Sequence, residues 1–216
     1  MPKQVDYEDR RRRIAEAVCL LADEHGPEGV TMRDVAARAE VSLGAVQRCF
    51  RTKEEMLLFA VDHVGERITE RARARLARNP ARSAATTLGH VATEIALLGE
   101  EHRAEARIWL AFVAKAAVSE PLAGPLRTSY TALHDLLARL VTEAINEAAT
   151  EHGPADPQHE ARALLALADG LTSHVLIGHL TATEAGAVLD THLAALAERL
   201  RTTAPPPPTA ADPEGR

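Results

Sequence analysis

Gly44, Gln47 and Arg48 fall within one short segment and carry the most distinctive chemistry in this sequence. Gln makes two-pronged hydrogen bonds to an adenine edge and Arg to a guanine edge in a major groove, and a glycine beside them lets a backbone come close. At about 100° per residue of helix, all three turn away from Val46 and Phe50, an i, i+4 apolar pair suited to burial. On an isolated short helix the same polar residues would simply be solvated. The elements around them decide between the two readings.

Those elements announce themselves by their caps. Thr31 with Asp34 three residues on opens one helix, whose Val35, Ala36 and Ala39 form a narrow apolar face that permits close packing. Ser42 caps the helix that carries Gln47, and Thr52 with Glu55 opens another. That helix runs to about Arg78, nearly 40 Å of rod at about 1.5 Å per residue. Ahead of them, Asp6 is a candidate cap for a first helix with Ile14, Val18 and Leu21 on one face, stopped at His25-Gly26-Pro27. Arg10 to Arg13 in its first turns read as a solvated face or as phosphate contacts.

The rest is also helical in pattern. Asn79-Pro80 and Ser83 precede a helix to Leu98, and His102 to Val118 holds Ile108, Trp109, Phe112 and Val113. Pro121 and Pro125 interrupt, a helix spans Leu126 to Glu151, and His152-Gly153-Pro154 closes it. Asp156-Pro157 opens the next, to about His179, and Thr181 with Glu184 opens the last. Aromatics are 3% of the chain and alternating β-branched runs are scarce, so the expected fold is all-α with about nine helices. The tail from 202 to 216 is Pro-rich and expected to be disordered.

Enzymatic constellations are absent. No histidine follows a glutamate at E-x-x-H spacing, and HExxH, a P-loop, GxGxxG and G-x-S-x-G do not occur. His174 and His179, five apart, would fall on different faces of one helix, which argues against a shared metal. Cys19 and Cys49 form no paired framework, and there is neither a signal-peptide h-region nor a bilayer-length apolar run. A cytoplasmic protein that is not an enzyme is the expectation.

The stretch GPEGVTMRDVAARAEVSLGAVQRCFRTKEEMLLFAV resembles the N-terminal domain of the tetracycline-repressor (TetR) family of bacterial regulators, in Gly29, Thr31, Val35-Ala36, Ala39, Val41-Ser42, Gly44, Phe50, Lys53 and Leu57. The resemblance implies a helix-turn-helix DNA-binding domain over 1–52, with Thr31 to Ala39 as the supporting helix and Ser42 to Cys49 as the recognition helix. It implies a ligand-binding and dimerisation bundle over 53–201. DNA contacts are then expected from Thr31, Arg33, Ser42, Leu43, Gly44, Ala45, Gln47, Arg48 and Lys53. The family usually has tyrosine where Gln47 stands and an aromatic or histidine near Cys49, so operator preference is expected to differ here. Formal charge is -6 overall, yet 31–53 carries five basic and two acidic residues. Phosphate attraction decays over about 8 Å, so that local excess governs.

In the C-terminal part, Glu105, Trp109, Phe112, Tyr130 and His134 offer an apolar cavity with polar handles, or plain core. A cationic ligand on Trp109 beside Glu105 would gain cation–π attraction, and these helices are similar to the branch with choline-responsive repressors. Leu164, Leu167, Leu171 and Val175, with Leu189, Leu193, Leu196 and Leu200, line the last two helices. They make either intramolecular core or a four-helix interface between two copies. A two-fold dimer is what reading half-sites about 34 Å apart requires. The expectation is therefore a homodimeric repressor, bound to double-stranded operator DNA and released by a small-molecule effector, with no cofactor. A helical protein-interaction adaptor or a bundle enzyme is the alternative.

Overall fold

The computed structural model describes residues 2–78, 83–147 and 156–201. Among them are nine α-helices and one 3-10 turn, and no strand. They are α1 (Pro2–Gly29), α2 (Met32–Arg38), α3 (Leu43–Cys49), α4 (Lys53–Arg78), α5 (Ala84–Ile95), α6 (Arg103–Ala116), α7 (Glu120–Glu147), α8 (Pro157–Leu176) and α9 (Ala182–Arg201), with the 3-10 turn at Glu100–His102 before α6.

Local chemistry explains most of the boundaries. The Thr31 hydroxyl accepts the Asp34 N–H at 3.2 Å, Ser42 accepts that of Ala45 at 3.1 Å, and Thr52 accepts that of Glu55 at 3.1 Å. At α9 the box is reciprocal, Glu184 N–H to the Thr181 hydroxyl and Thr181 N–H to the Glu184 carboxylate. Asp156 caps α8 through the Gln158 N–H. In α1, Gly26 breaks the helical path with φ 71, a left-handed value that glycine adopts without strain.

Four boundaries differ from the sequence expectation. Helix α1 begins at Pro2, ahead of Asp6, so Asp6 is not its cap; proline is well suited to a first helical turn, whose N–H groups have no partner. Helix α7 starts at Glu120, not Leu126, because the Ser119 carbonyl accepts from Leu122 and Ala123 and Pro121 sits in the first turn. Pro125 lies inside the helix, and Leu126 beyond it is buried. Helix α5 ends at Ile95, with Leu97 in a left-handed conformation that buries its side chain. Helix α8 ends at Leu176, and Gly178 at φ 74 turns the chain back. The expectations for Asn79-Pro80, for the end of α7 at Glu151 with His152-Gly153-Pro154, and for the tail from 202 fall outside the described residues.

One continuous apolar core runs from Ile14 in α1 to Leu200 in α9. Helix α7 is central, packed on α8, α5, α6 and α4, while α1 lies against both α6 and α4 and also touches α2 and α3. Thus α1 bridges the small N-terminal helices and the bundle. No helix among the described residues is long and apolar enough to cross a membrane.

Candidate nucleic-acid interface and effector groove

Val46, Cys49 and Phe50 are buried, which fixes the rotation of α3 and leaves Gln47 and Arg48 exposed on its far side. An added Cβ on Gly44 would stand 3.6 Å from Arg48 Nη1, so the guanidinium lies back across the glycine. Phe50 also packs on Phe59 of α4, ring centroids 5.3 Å apart. Ala45, expected at the DNA face, is instead 7% exposed, because it shares the inward side with Val46 and Cys49. Burial also pushes the Cys49 thiol pKa up, and a buried neutral thiol is no phosphate contact.

The turn between α2 and α3 is a Schellman motif: the Val41 N–H reaches the Ala36 carbonyl at 3.0 Å and the Glu40 N–H the Ala37 carbonyl at 3.2 Å. Its left-handed position is taken by Glu40, φ 54. Arg13 Nη2 donates to the Ala39 carbonyl at 2.8 Å and clamps this turn to α1.

Several basic residues are engaged within the fold. Arg38 makes two hydrogen bonds to the Glu24 carboxylate, at 2.9 and 2.8 Å, and Lys53 Nζ donates to the Glu28 carbonyl at 2.7 Å. The Arg11 guanidinium lies 4.1 Å from the Phe59 ring centroid, 5.1 Å from that of Phe50 and 5.9 Å from that of Tyr7. Arg11 therefore packs within the fold, whereas Arg13 holds the turn and is still exposed. Arg33, Arg48 and Arg51 are exposed, as are Thr31, Ser42 and Gln47, while Leu43 and Gly44 are half-buried.

In the bundle the five expected ligand residues separate. Trp109 is 4% and Phe112 1% exposed, both core. Glu105 is buried under two arginines, Arg67 Nη2 at 3.1 Å and Arg71 Nη2 at 2.7 Å, and Arg71 Nε reaches Glu94 at 3.2 Å. That carboxylate is already neutralised, so a cation seated between it and Trp109 is ruled out by packing and charge. Tyr130 and His134 do line an open groove of about 490 Å³, with Arg162 and Asp169 from α8. Trp109 Nε1 donates to the Tyr130 oxygen at 3.2 Å, and the Tyr130 hydroxyl donates to Asp169 Oδ2 at 2.5 Å. Burial raises the pKa of both Tyr130 and Asp169. Sequence reasoning missed Asp169; its partner lies 39 residues away, and no periodic signal marks it.

The leucine stripes also resolve. Leu164, Leu171, Leu189, Leu196 and Leu200 are buried within the chain itself, so they are its own core and not a surface for a second copy. Leu167, Val175 and Leu193 are partly exposed, and Val188 is exposed beside them in α9. His174 and His179 do not diverge: the Gly178 turn brings their rings to 4.9 Å. Among the described residues no group of three or more His, Cys, Asp or Glu could hold a metal.

Comparison with known proteins decides the family. Residues 14–60 match the bacterial regulatory proteins of the tetR family, and residues 84–198 match the family described as BetI-type transcriptional repressor, C-terminal. A transcriptional regulator of Bacillus subtilis, PksA, is 34% identical over 182 residues, covering 82% of this chain and 83% of its own. The chain belongs to the TetR family.

Other TetR-family likenesses agree. The BetI regulator of Burkholderia thailandensis is 29% identical over 79% of this chain and 84% of its own. A crystal structure of a Rhodococcus transcriptional regulator superposes with a TM-score of 0.75 at 27% identity, covering 90% of this chain and 99% of that one. A Saccharomonospora viridis regulator solved with choline has the same TM-score, covers 87% and 96%, and at 21% identity shows the fold alone. This TetR-family protein is a transcriptional regulator with a helix-turn-helix DNA-binding part, and the families and relatives it matches are regulators, not enzymes.

Proposed function

We propose that this chain is a homodimeric repressor that holds a pseudo-palindromic operator through α3 and lets go when a small molecule binds the bundle. The observation that carries the reading is the exposed Gln47–Arg48 edge, held in place by the buried Val46 and Phe50 behind it. Residues 1–52 act as the DNA-binding domain and 53–201 as the effector-binding and dimerisation bundle, acting in the cytoplasm. Gln47 and Arg48 read base edges; Thr31, Arg33, Ser42 and Lys53, with the helix N-termini they flank, meet phosphates.

Two copies pair through the partly exposed side of α8 and α9, at Leu167, Val175, Val188 and Leu193. Proteins of the same fold support a small-molecule effector: the S. viridis regulator was solved with choline, and FadR of Bacillus subtilis with stearoyl-CoA. A ligand that prefers a conformation with the wrong spacing of recognition helices weakens DNA binding by that difference in affinity.

The test is a band shift with DNA upstream of the protein's own gene. Gln47→Ala with Arg48→Ala abolishes the shift while size-exclusion chromatography still reports a dimer. A shift that survives both substitutions overturns the recognition assignment, and no shift from the parent protein favours a helical adaptor.

A further inference from the structure

The groove between α7 and α8 is bipolar. Arg162, Leu165, Ala166 and Asp169 stand at i, i+3, i+4 and i+7, one face of α8, with Tyr130 and His134 of α7 opposite. The two helices run antiparallel here, because Tyr130 meets Asp169 while the His134 ring lies 3.3 Å from the Gln158 carbonyl, one turn before Arg162. The negative end therefore has a carboxylate and a phenol, and the positive end the Arg162 guanidinium; the His134 ring is already engaged, by the Gln158 carbonyl and by Asp135 Oδ1, each at 3.3 Å. Leu165 and Ala166 lie between them.

The charges at the two ends do not cancel. Arg162 is exposed and has no ion-pair partner among the described residues. Asp169 is anchored by the Tyr130 hydroxyl, itself fixed by Trp109 Nε1, and an ionised carboxylate retains capacity for further donors. Two helical turns put about 10 Å between the Cα atoms of Arg162 and Asp169. A lone anion entering the groove meets Asp169, and a lone cation meets Arg162.

We propose that the groove binds a linear zwitterion: an ammonium or quaternary ammonium at Asp169 and Tyr130, a carboxylate at Arg162, and a short methylene chain over Leu165 and Ala166. This site rests on the reading of the bundle as the effector-binding part. Each end adds a charge-assisted contact, so the zwitterion outbinds either half-ligand.

Calorimetric titration of the full chain with ε-aminocaproate, hexanoate, hexylamine, choline and glycine tests this, alongside a band shift with each compound. ε-Aminocaproate binds about tenfold or more tighter than hexanoate or hexylamine, and glycine, too short to span the groove, does not bind. Arg162→Ala removes the gain over hexylamine, and Asp169→Asn, with its melting temperature checked against the parent, removes the gain over hexanoate.

Choline or hexylamine binding as tightly as ε-aminocaproate overturns the proposal, as does a zwitterion preference that survives both substitutions or the absence of any binding. If ε-aminocaproate binds without releasing DNA, the site stands and the release reading falls. If choline releases DNA while ε-aminocaproate neither binds nor releases it, the release reading stands and the zwitterion site falls.

Discussion

The Arg107 guanidinium lies 2.5 Å from the Asp23 carboxylate and so ties α6 to the last turn of α1 before its break at Gly26. Nearby, Lys115 Nζ sits 2.6 Å from the Glu28 carboxylate, whose backbone carbonyl accepts from Lys53 at the start of α4. A line of charged contacts thus runs from the bundle to the entry of the helix-turn-helix unit.

These pairs are partly or fully exposed, so solvent and salt screen them and each contributes little to stability. Arg107→Ala with Lys115→Ala is expected to lower the melting temperature by only a few degrees while loosening the segment 26–31. Hydrogen exchange of those amides rises several-fold, and an effector's influence on DNA binding shrinks. Unchanged exchange would remove this contact line from the coupling.

Glu40 holds a left-handed conformation that costs an L residue roughly 1–2 kcal/mol, against roughly 0.5–1 kcal/mol of extra chain entropy for glycine. Glu40→Gly is expected to stabilise the protein by up to about 1 kcal/mol in urea denaturation. A loss of stability would mean that the Glu40 side chain contributes more than its backbone costs.

The Arg71 fork joins α4 to Glu94 of α5 and Glu105 of α6, and both carboxylates are buried. Removing the arginine takes a partner from each of two buried carboxylates, while Arg67 still reaches Glu105 at 3.1 Å, so Arg71→Leu should cost up to about 3 kcal/mol. Arg71→Leu combined with Glu105→Leu should cost less than the two single changes added together. Strict additivity in denaturation midpoints would contradict a coupled network.

His63, 8% exposed, faces Arg67 and Arg12 along with Glu16 and Glu66; desolvation first, then Arg67, holds its pKa below the ordinary value. A base with a depressed folded pKa takes up protons more readily when unfolded. Stability is therefore full above the unfolded pKa of about 6.5 and falls as the pH drops below it. The melting temperature should decline between about pH 7 and 5, and His63→Gln should flatten that slope; an identical slope would place the sensitivity elsewhere.

What could be read in the sequence was what local chemistry decides. Thr31, Ser42, Thr52, Asp156 and Thr181 cap where expected, because a cap is a contact between neighbours in the chain, and α4 keeps its expected bounds at Lys53 and Arg78. The rotation of α3 followed from Val46 and Phe50 alone.

Long-range partners escaped. A leucine stripe at Leu164, Leu171, Leu189 and Leu196 announces a buried face without saying what buries it. Glu105 looked like an available handle until Arg67 and Arg71, more than thirty residues away, closed on it. Pro125 reads as a breaker because its penalty is local, whereas the burial of Leu126 that accompanies it is tertiary.

Arg11 is held by three aromatic faces, and among the described residues no carboxylate pairs with it. Ring contacts at such short range are screened far less by dissolved ions than the grip on a phosphate backbone, which weakens steeply as salt rises. Dissolved ions that loosen a phosphate contact therefore leave the α1–α3–α4 junction assembled.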